Sequence, residues 1–107
     1  MRIVTYKRIL VFVKKYADAE NPLNFWYHTV TAKKWNNLNE IKQTFNSVDY
    51  VGNNRYVFNI KGNDYRSIAI ISFNAKKVYI RFMGTHSEYD KIKDVKTFSY
   101  DTDRKRV

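Results

Sequence analysis

Apolar residues recur at helical spacing near the start of the chain and at strand spacing later on. From Tyr6 to Ala17, Ile9, Phe12, Val13 and Tyr16 fall at i, i+3, i+4 and i+7, the pattern of an amphipathic helix. Lys7, Arg8, Lys14 and Lys15 lie mostly off that stripe. Arg2–Thr5, just before it, is a short β-prone run expected at a sheet edge. A connection over Asp18–Asn21 leads to Pro22, which suits a first helical position with Asn21 as the cap. Leu23, Trp26, Tyr27 and Val30 then repeat the helical spacing to about Lys34. A further turn or two is expected over Glu40–Phe45, capped by Asn39. Asn46–Asn54 reads as a polar loop.

The spacing changes after residue 55. Tyr56–Lys61, Asp64–Phe73 and Lys76–Met83 are rich in Val, Ile, Tyr and Phe and are bounded by turn residues, the mark of strands. Gly62-Asn63 suits a two-residue type II′ turn, and Asn74-Ala75 a second short one. The three runs predict an antiparallel meander. With two-residue loops, Asn59 lies opposite Arg66 and Ile68 opposite Arg81. Alternation then gives one core face: Tyr56, Phe58, Ile60, Ala69, Ile71, Phe73, Val78, Ile80 and Phe82. The other face is cationic with aliphatic support: Val57, Asn59, Lys61, Arg66, Ile68, Ile70, Lys77, Tyr79 and Arg81. On composition the favoured reading of that second face is a solvated surface, because antiparallel sheets often leave one side wet. Ser87–Val95 suits a short helix with Ser87 near its start, and Thr97–Tyr100 a last strand or a packed tail. Asp101–Val107 has little apolar support and is expected to fray.

Helices against a small, mainly antiparallel sheet give an α+β class. At 107 residues the chain supports one core, expected as a single domain over residues 1–98 with a tail over 99–107. With no cysteine, disulfide frameworks and thiol catalysis are excluded, and His28 and His86 are the only imidazoles. No metal-ligand cluster or glycine-rich phosphate loop occurs, so no metal and no cofactor are expected. Neither a membrane-length apolar run nor a signal-peptide pattern is present, and a cytoplasmic location is the simplest expectation. Twenty Lys+Arg against ten Asp+Glu leave a net charge of +10. Such an excess on one small domain favours an anionic partner: nucleic acid, ribosome or an acidic protein. Trp26 sits on an apolar stripe and reads as core. Trp35 stays open between packing and base stacking. His28, beside a helix stripe, reads as a solvent-facing or hydrogen-bonding residue.

Three blocks carry a resemblance. Y-V-F-N-I-x-G-N-x-x-R at Tyr56–Arg66, Y-I-R at Tyr79–Arg81 and T-H-x-E-Y-D at Thr85–Asp90 occur in the order and spacing of the HigB branch of the RelE-like toxins. Those proteins are bacterial ribosome-dependent mRNA endonucleases of toxin–antitoxin pairs. The strong match covers about a third of the chain, and the N-terminal half resembles the family in layout more than in residues. The resemblance implies a RelE-like fold: an N-terminal helical hairpin on a small twisted sheet, with a short C-terminal helix. It implies mRNA on the ribosome as substrate and a HigA-type helix-turn-helix antitoxin as partner. It also implies Arg66 as transition-state stabiliser, His86 as acid or base, Tyr89 as a stacking or proton-transfer residue and Asp90 as an orienter. Asn59, Lys61 and Arg81 are candidates for phosphate contact, with an ion pair or an antitoxin contact as the alternative for Arg81. The chemistry fits the inventory. Metal-free RNA cleavage needs a group to move protons between the 2′-hydroxyl and the leaving oxygen, plus cations for the phosphorane. A non-catalytic basic RNA- or ribosome-binding module, or an inactive toxin relic, is the rival reading.

Overall fold

The computed structural model describes residues 1–95. In chain order these form β1 (Arg2–Ile3), α1 (Tyr6–Lys15), a 3-10 turn (Ala17–Ala19), α2 (Glu20–Thr31), α3 (Leu38–Thr44), β2 (Asp49–Gly52), β3 (Arg55–Ile60), β4 (Tyr65–Ser72), β5 (Lys77–Thr85) and α4 (His86–Asp90). The strands make one sheet in the order β1-β5-β4-β3-β2. β1 lies parallel to β5 at the edge, and every other pairing is antiparallel. The α+β class and the edge strand near residue 2 are borne out. No described helix is long and apolar enough to cross a membrane.

The apolar stripes of α1 and α2 face one side of the sheet. Ile9, Phe12, Leu23, Trp26 and Val30 are buried with Ile41 of α3 against Phe58, Ile60, Ile71, Val78 and Ile80. Trp26 meets Phe58 edge-on, with ring centroids 5.4 Å apart, and Phe45 meets the same ring at 5.6 Å. Trp35 is buried beside Phe45 at 6.1 Å. Both tryptophans therefore pack inside the protein, and neither presents a face to a base. His28 is exposed, as expected.

Several boundaries differ from the sequence expectation. The 3-10 turn runs straight into α2, so the helix begins at Glu20 and Asn21 lies inside its first turn rather than at the cap. Pro22 is still tolerated there, because first-turn N–H groups have no helical acceptor. Asn37, not Asn39, caps α3, its side chain accepting the Glu40 N–H at 3.0 Å. The expected loop over 46–54 contains β2, whose short run pairs with β3 through Tyr50 and Tyr56. The hairpin between β3 and β4 closes with four residues, 61–64, with Lys61 and Gly62 at positive φ. The Asn59–Arg66 pairing survives unchanged.

The largest correction is a β-bulge in β5. Ala69 pairs with Ile80 as expected, but Ile68 pairs with Phe82 rather than Arg81. Arg81 is the extra residue. Phe82 therefore leaves the expected core face and packs with Val57 and Ile68 on the opposite side, while Met83 joins the helical side. That opposite side is not simply wet and cationic. Val57, Ile68 and Phe82 are buried, with Val51, Tyr89, Ile92 and Val95 packed over them. α4 starts at His86 and ends at Asp90, shorter than the expected 87–95, yet Ile92 and Val95 beyond it still cover this second cluster. The expectations for Thr97–Tyr100, for Asp101–Val107 and for a domain boundary at residue 98 fall outside the described residues.

Candidate active site

The row Asn59–Arg66–Gly84 crosses β3, β4 and β5 next to the Val57–Ile68–Phe82 row, near the point where β5 gives way to α4. Gly84 leaves a gap that α4 uses. A Cβ there would lie 2.6 Å from Cζ of Phe82 and 2.8 Å from Oε1 of Glu88. Thr85 ends the strand and caps the helix: its hydroxyl accepts the Glu88 N–H at 3.1 Å, and the Glu88 carboxylate accepts the Thr85 N–H at 2.8 Å. This reciprocal capping box, T-x-x-E, fixes a helix of five residues that could not hold itself. Ser87, the expected cap, is an ordinary exposed helical residue. The His86 N–H adds a bond to the Asp64 carbonyl at 3.1 Å, tying the start of α4 to the β3–β4 turn.

On this helix His86 and Asp90 stand one turn apart, with Nδ1 3.0 Å from a carboxylate oxygen. Asp90 accepts the Nδ1 proton, so Nε2 is the nitrogen left to exchange a proton with a ligand. Tyr89, three residues after His86, turns its ring toward Phe82 and toward β4. The Arg66 guanidinium lies over that ring, 4.8 Å from its centroid. Among the described residues no carboxylate pairs with Arg66, and its Nε is buried without a hydrogen-bond partner. A guanidinium with an aromatic floor, an unused donor and no counter-ion among the described residues has the chemistry to receive an oxyanion.

Arg66 thus meets Tyr89, the half-buried Asn59 stands opposite Arg66 on β3, and His86 pairs with Asp90 on the helix that carries Tyr89. Lys61, in the turn that holds the start of α4, and Arg81, at the bulge, make other contacts. The Lys61 ammonium sits 2.9 Å from Asp18 and 3.2 Å from Asp64, and the second oxygen of Asp18 accepts a short hydrogen bond from the Tyr65 hydroxyl. These contacts shift all three groups. The Tyr65 and Lys61 bonds hold the Asp18 carboxyl below the usual carboxylate range. Asp18 and then Asp64 raise Lys61. By accepting its hydrogen bond, Asp18 pushes Tyr65 up to about 12. Lys61 is therefore committed to two carboxylates. Arg81, at the bulge, lies over the Tyr79 ring at 5.6 Å, on the far side of the Phe82 row from Arg66. Beside it is Arg55, only 8 % exposed, which sequence reading did not single out. Burial lowers the Arg55 pKa, and the charge of Arg81 lowers it further.

Asp18, Asp64, Tyr65 and Glu88 were also missed. For Glu88 the signal was present, since Thr85-x-x-Glu88 spells a capping box. For Asp18 there was none, because its partners lie more than forty residues along the chain.

A family model described as HigB_toxin, the RelE-like toxic component of a toxin–antitoxin system, matches residues 19–92. The chain is 32% identical over 93 residues to the mRNA interferase toxin HigB of Escherichia coli K12, a span of 84% of this chain and 88% of that protein. Identity and coverage are the same for the mRNA interferase HigB of Shigella flexneri. The mRNA interferase HigB of Escherichia coli O6:H1 is 27% identical over 94 residues, covering 86% of this chain and 91% of that protein.

Proposed function

The chain belongs to the HigB family of RelE-like toxic components of toxin–antitoxin systems, and on that premise we propose that it is an endoribonuclease cutting mRNA engaged on the ribosome. The observation that carries the reading is the Arg66 guanidinium, stacked on Tyr89 with its Nε unsatisfied and no acid paired with it among the described residues. Desolvating a cationic donor without a partner is unfavourable, and a phosphate oxygen arriving there supplies what is missing. Relatives bearing the name mRNA interferase and the net charge of +10 support the same substrate class.

The chemistry needs no external nucleophile. The 2′-oxygen attacks the adjacent phosphorus, its proton passes to Nε2 of His86, and Asp90 stabilises the imidazolium through the Nδ1 proton. Arg66 neutralises the extra charge on the phosphorane. The bond to the 5′-oxygen breaks, leaving a 2′,3′-cyclic phosphate and a 5′-hydroxyl. Tyr89 or solvent returns a proton to the departing oxygen, and Tyr89→Phe separates the two. In this reading the cell's antidote is a HigA-type helix-turn-helix antitoxin, and the toxin acts in the cytoplasm, where translated mRNA is.

The test is single-turnover cleavage on programmed ribosomes. His86→Ala is expected to slow it by about a hundred- to ten-thousandfold, the usual loss for an acid–base group, with ribosome binding nearly unchanged. A 2′-deoxy substitution at the cut site is expected to block cleavage. A wild-type rate for His86→Ala removes His86 from the reaction. Cleavage of the 2′-deoxy substrate means another nucleophile attacks.

A further inference from the structure

The stripe of α1 that packs on the sheet accounts for Ile9 and Phe12, but a second stripe has nothing over it among the described residues. Lys7, Leu10, Val11 and Lys14 fall at i, i+3, i+4 and i+7 and all are exposed, Leu10 at 46 % and Val11 at 60 %. α1 carries Lys7, Arg8, Lys14 and Lys15 and not one acid. Beside this stripe runs a groove lined by Lys7, Val11, Phe12 and Lys15 of α1 together with Met83 of β5 and Glu88 of α4. Glu88 does not reverse the sign of the groove, because Lys7, Arg8 and Lys15 line it as well.

We propose that this face of α1, with its groove, is the docking site for the antitoxin, and that it seats an acidic amphipathic helix. Leu10 and Val11, neighbouring and exposed beside a groove that Val11, Phe12 and Met83 line, make a continuous apolar strip of the kind that interaction surfaces use. A frame of lysines with no acid selects a partner of opposite sign. An amphipathic helix laid in a groove would place its apolar anchors on Leu10 and Val11 and its carboxylates near Lys7, Lys14 and Lys15. RNA would use the cations and gain little from the leucine and valine, since its bases stack on flat rings. Glu88 of α4, the helix that carries His86, Tyr89 and Asp90, also lines the groove, whereas Arg66 does not, so an occupant reaches that helix without covering Arg66. The inference rests on membership in a toxin–antitoxin family, not on the proposed cleavage.

The probe is the purified antitoxin encoded beside this toxin, titrated against the full chain by calorimetry. The double variant Leu10→Glu/Val11→Glu is expected to weaken binding by about thirtyfold or more, the signature of hot-spot anchors. Its thermal melt should match the wild type, because both side chains are already in water. Lys7→Glu/Lys15→Glu should weaken binding as well and flatten its dependence on salt, and it leaves the apolar stripe intact should the first variant fold poorly. Tyr50→Ala, at an exposed aromatic on β2 at the opposite edge of the sheet, should bind as wild type. Wild-type affinity in both charge variants overturns the proposal. So does loss of ribosome binding with antitoxin binding intact, which would make the face an RNA surface. A chain that binds antitoxin through α1 yet cuts no RNA overturns the endonuclease reading alone.

Discussion

On the helical side of the sheet, Leu23, Trp26, Val30 and Ile41 close over Phe58, Val78 and Ile80, none more than 2 % exposed. On the other side three buried residues, Val57, Ile68 and Phe82, are covered, among the described residues, by partly buried Val51, Tyr89, Ile92 and Val95. Every residue proposed for the chemistry belongs to the thin side or its margin. The division is physical. A guanidinium can be held half-buried and unsatisfied only where a ligand can still reach it, and a helix of five residues can present His86 only if caps and a few contacts replace bulk packing. The thick side supplies the folding free energy that lets the thin side remain imperfect.

That division can be broken most directly at Trp26. Trp26→Ala should cost about 3–5 kcal/mol, a large part of the ~5–15 kcal/mol that a domain of this size holds. Chemical denaturation should show it as a midpoint shift far larger than that of Tyr89→Ala, whereas cleavage should suffer more from Tyr89→Ala at temperatures where both variants are folded. If Tyr89→Ala unfolds the protein as readily as Trp26→Ala, the two sides are one cooperative core and the contrast is wrong.

Gly84→Ala tests the seam between the faces. The added carbon meets the Phe82 ring and the carboxylate of Glu88, so these side chains must give way, and the carboxylate is the one that accepts the Thr85 N–H at the start of α4. Overpacking of this kind costs about 1–3 kcal/mol. The sharper expectation is a loss of cleavage at temperatures where melts show the variant fully folded, because the shift falls on the helix bearing His86. Wild-type turnover in a folded Gly84→Ala chain would show that α4 need not sit where it does.

The smallest effect is expected at Asp18, which clamps Lys61 and Tyr65 from outside either core. Its carboxyl titrates below the usual range, so its contribution is present above the ordinary carboxylate pKa and lost as pH falls through the lowered one. Tyr65 is raised to about 12, so its share is full below the ordinary tyrosine pKa and lost as pH climbs through that value. Asp18→Asn should therefore melt slightly below the wild type across neutral pH, with the gap closing at strongly acidic and strongly alkaline pH. A gap that does not vary with pH would point to packing rather than charge.

The sequence made some of this legible for definite reasons. Leu23, Trp26 and Val30 announced the thick side because helical spacing and burial report the same thing. Asn59 and Arg66 could be paired because both loop lengths preserved the register. Phe82 could not be placed: alternation from Ile80 assigns it to the core, and nothing in Tyr79-Ile80-Arg81-Phe82 marks an extra residue. The Val57–Ile68–Phe82 cluster was hidden with it. β2 was too short and too polar in its flanks to stand out from a loop. His86, Tyr89 and Asp90 were visible as a tight block, while the hold on that block by Asp64 depends on a backbone carbonyl, to which any residue type could contribute.

The bulge also sets how the chain can tolerate changes of length. Ile80 opposes Ala69 and Phe82 opposes Ile68, so the cross-strand partners before and after Arg81 would keep their places if that residue were absent. Arg81 is surplus to the count of the ladder. Losing one codon there would remove a cation and a kink while leaving Phe82, Gly84 and Thr85 on their present faces. Losing one codon between Phe82 and Thr85 would exchange inside for outside up to the helix. Two deletions of equal size a few bases apart in the gene would thus have opposite consequences, and at Arg81 the chain can evolve by length as well as by substitution.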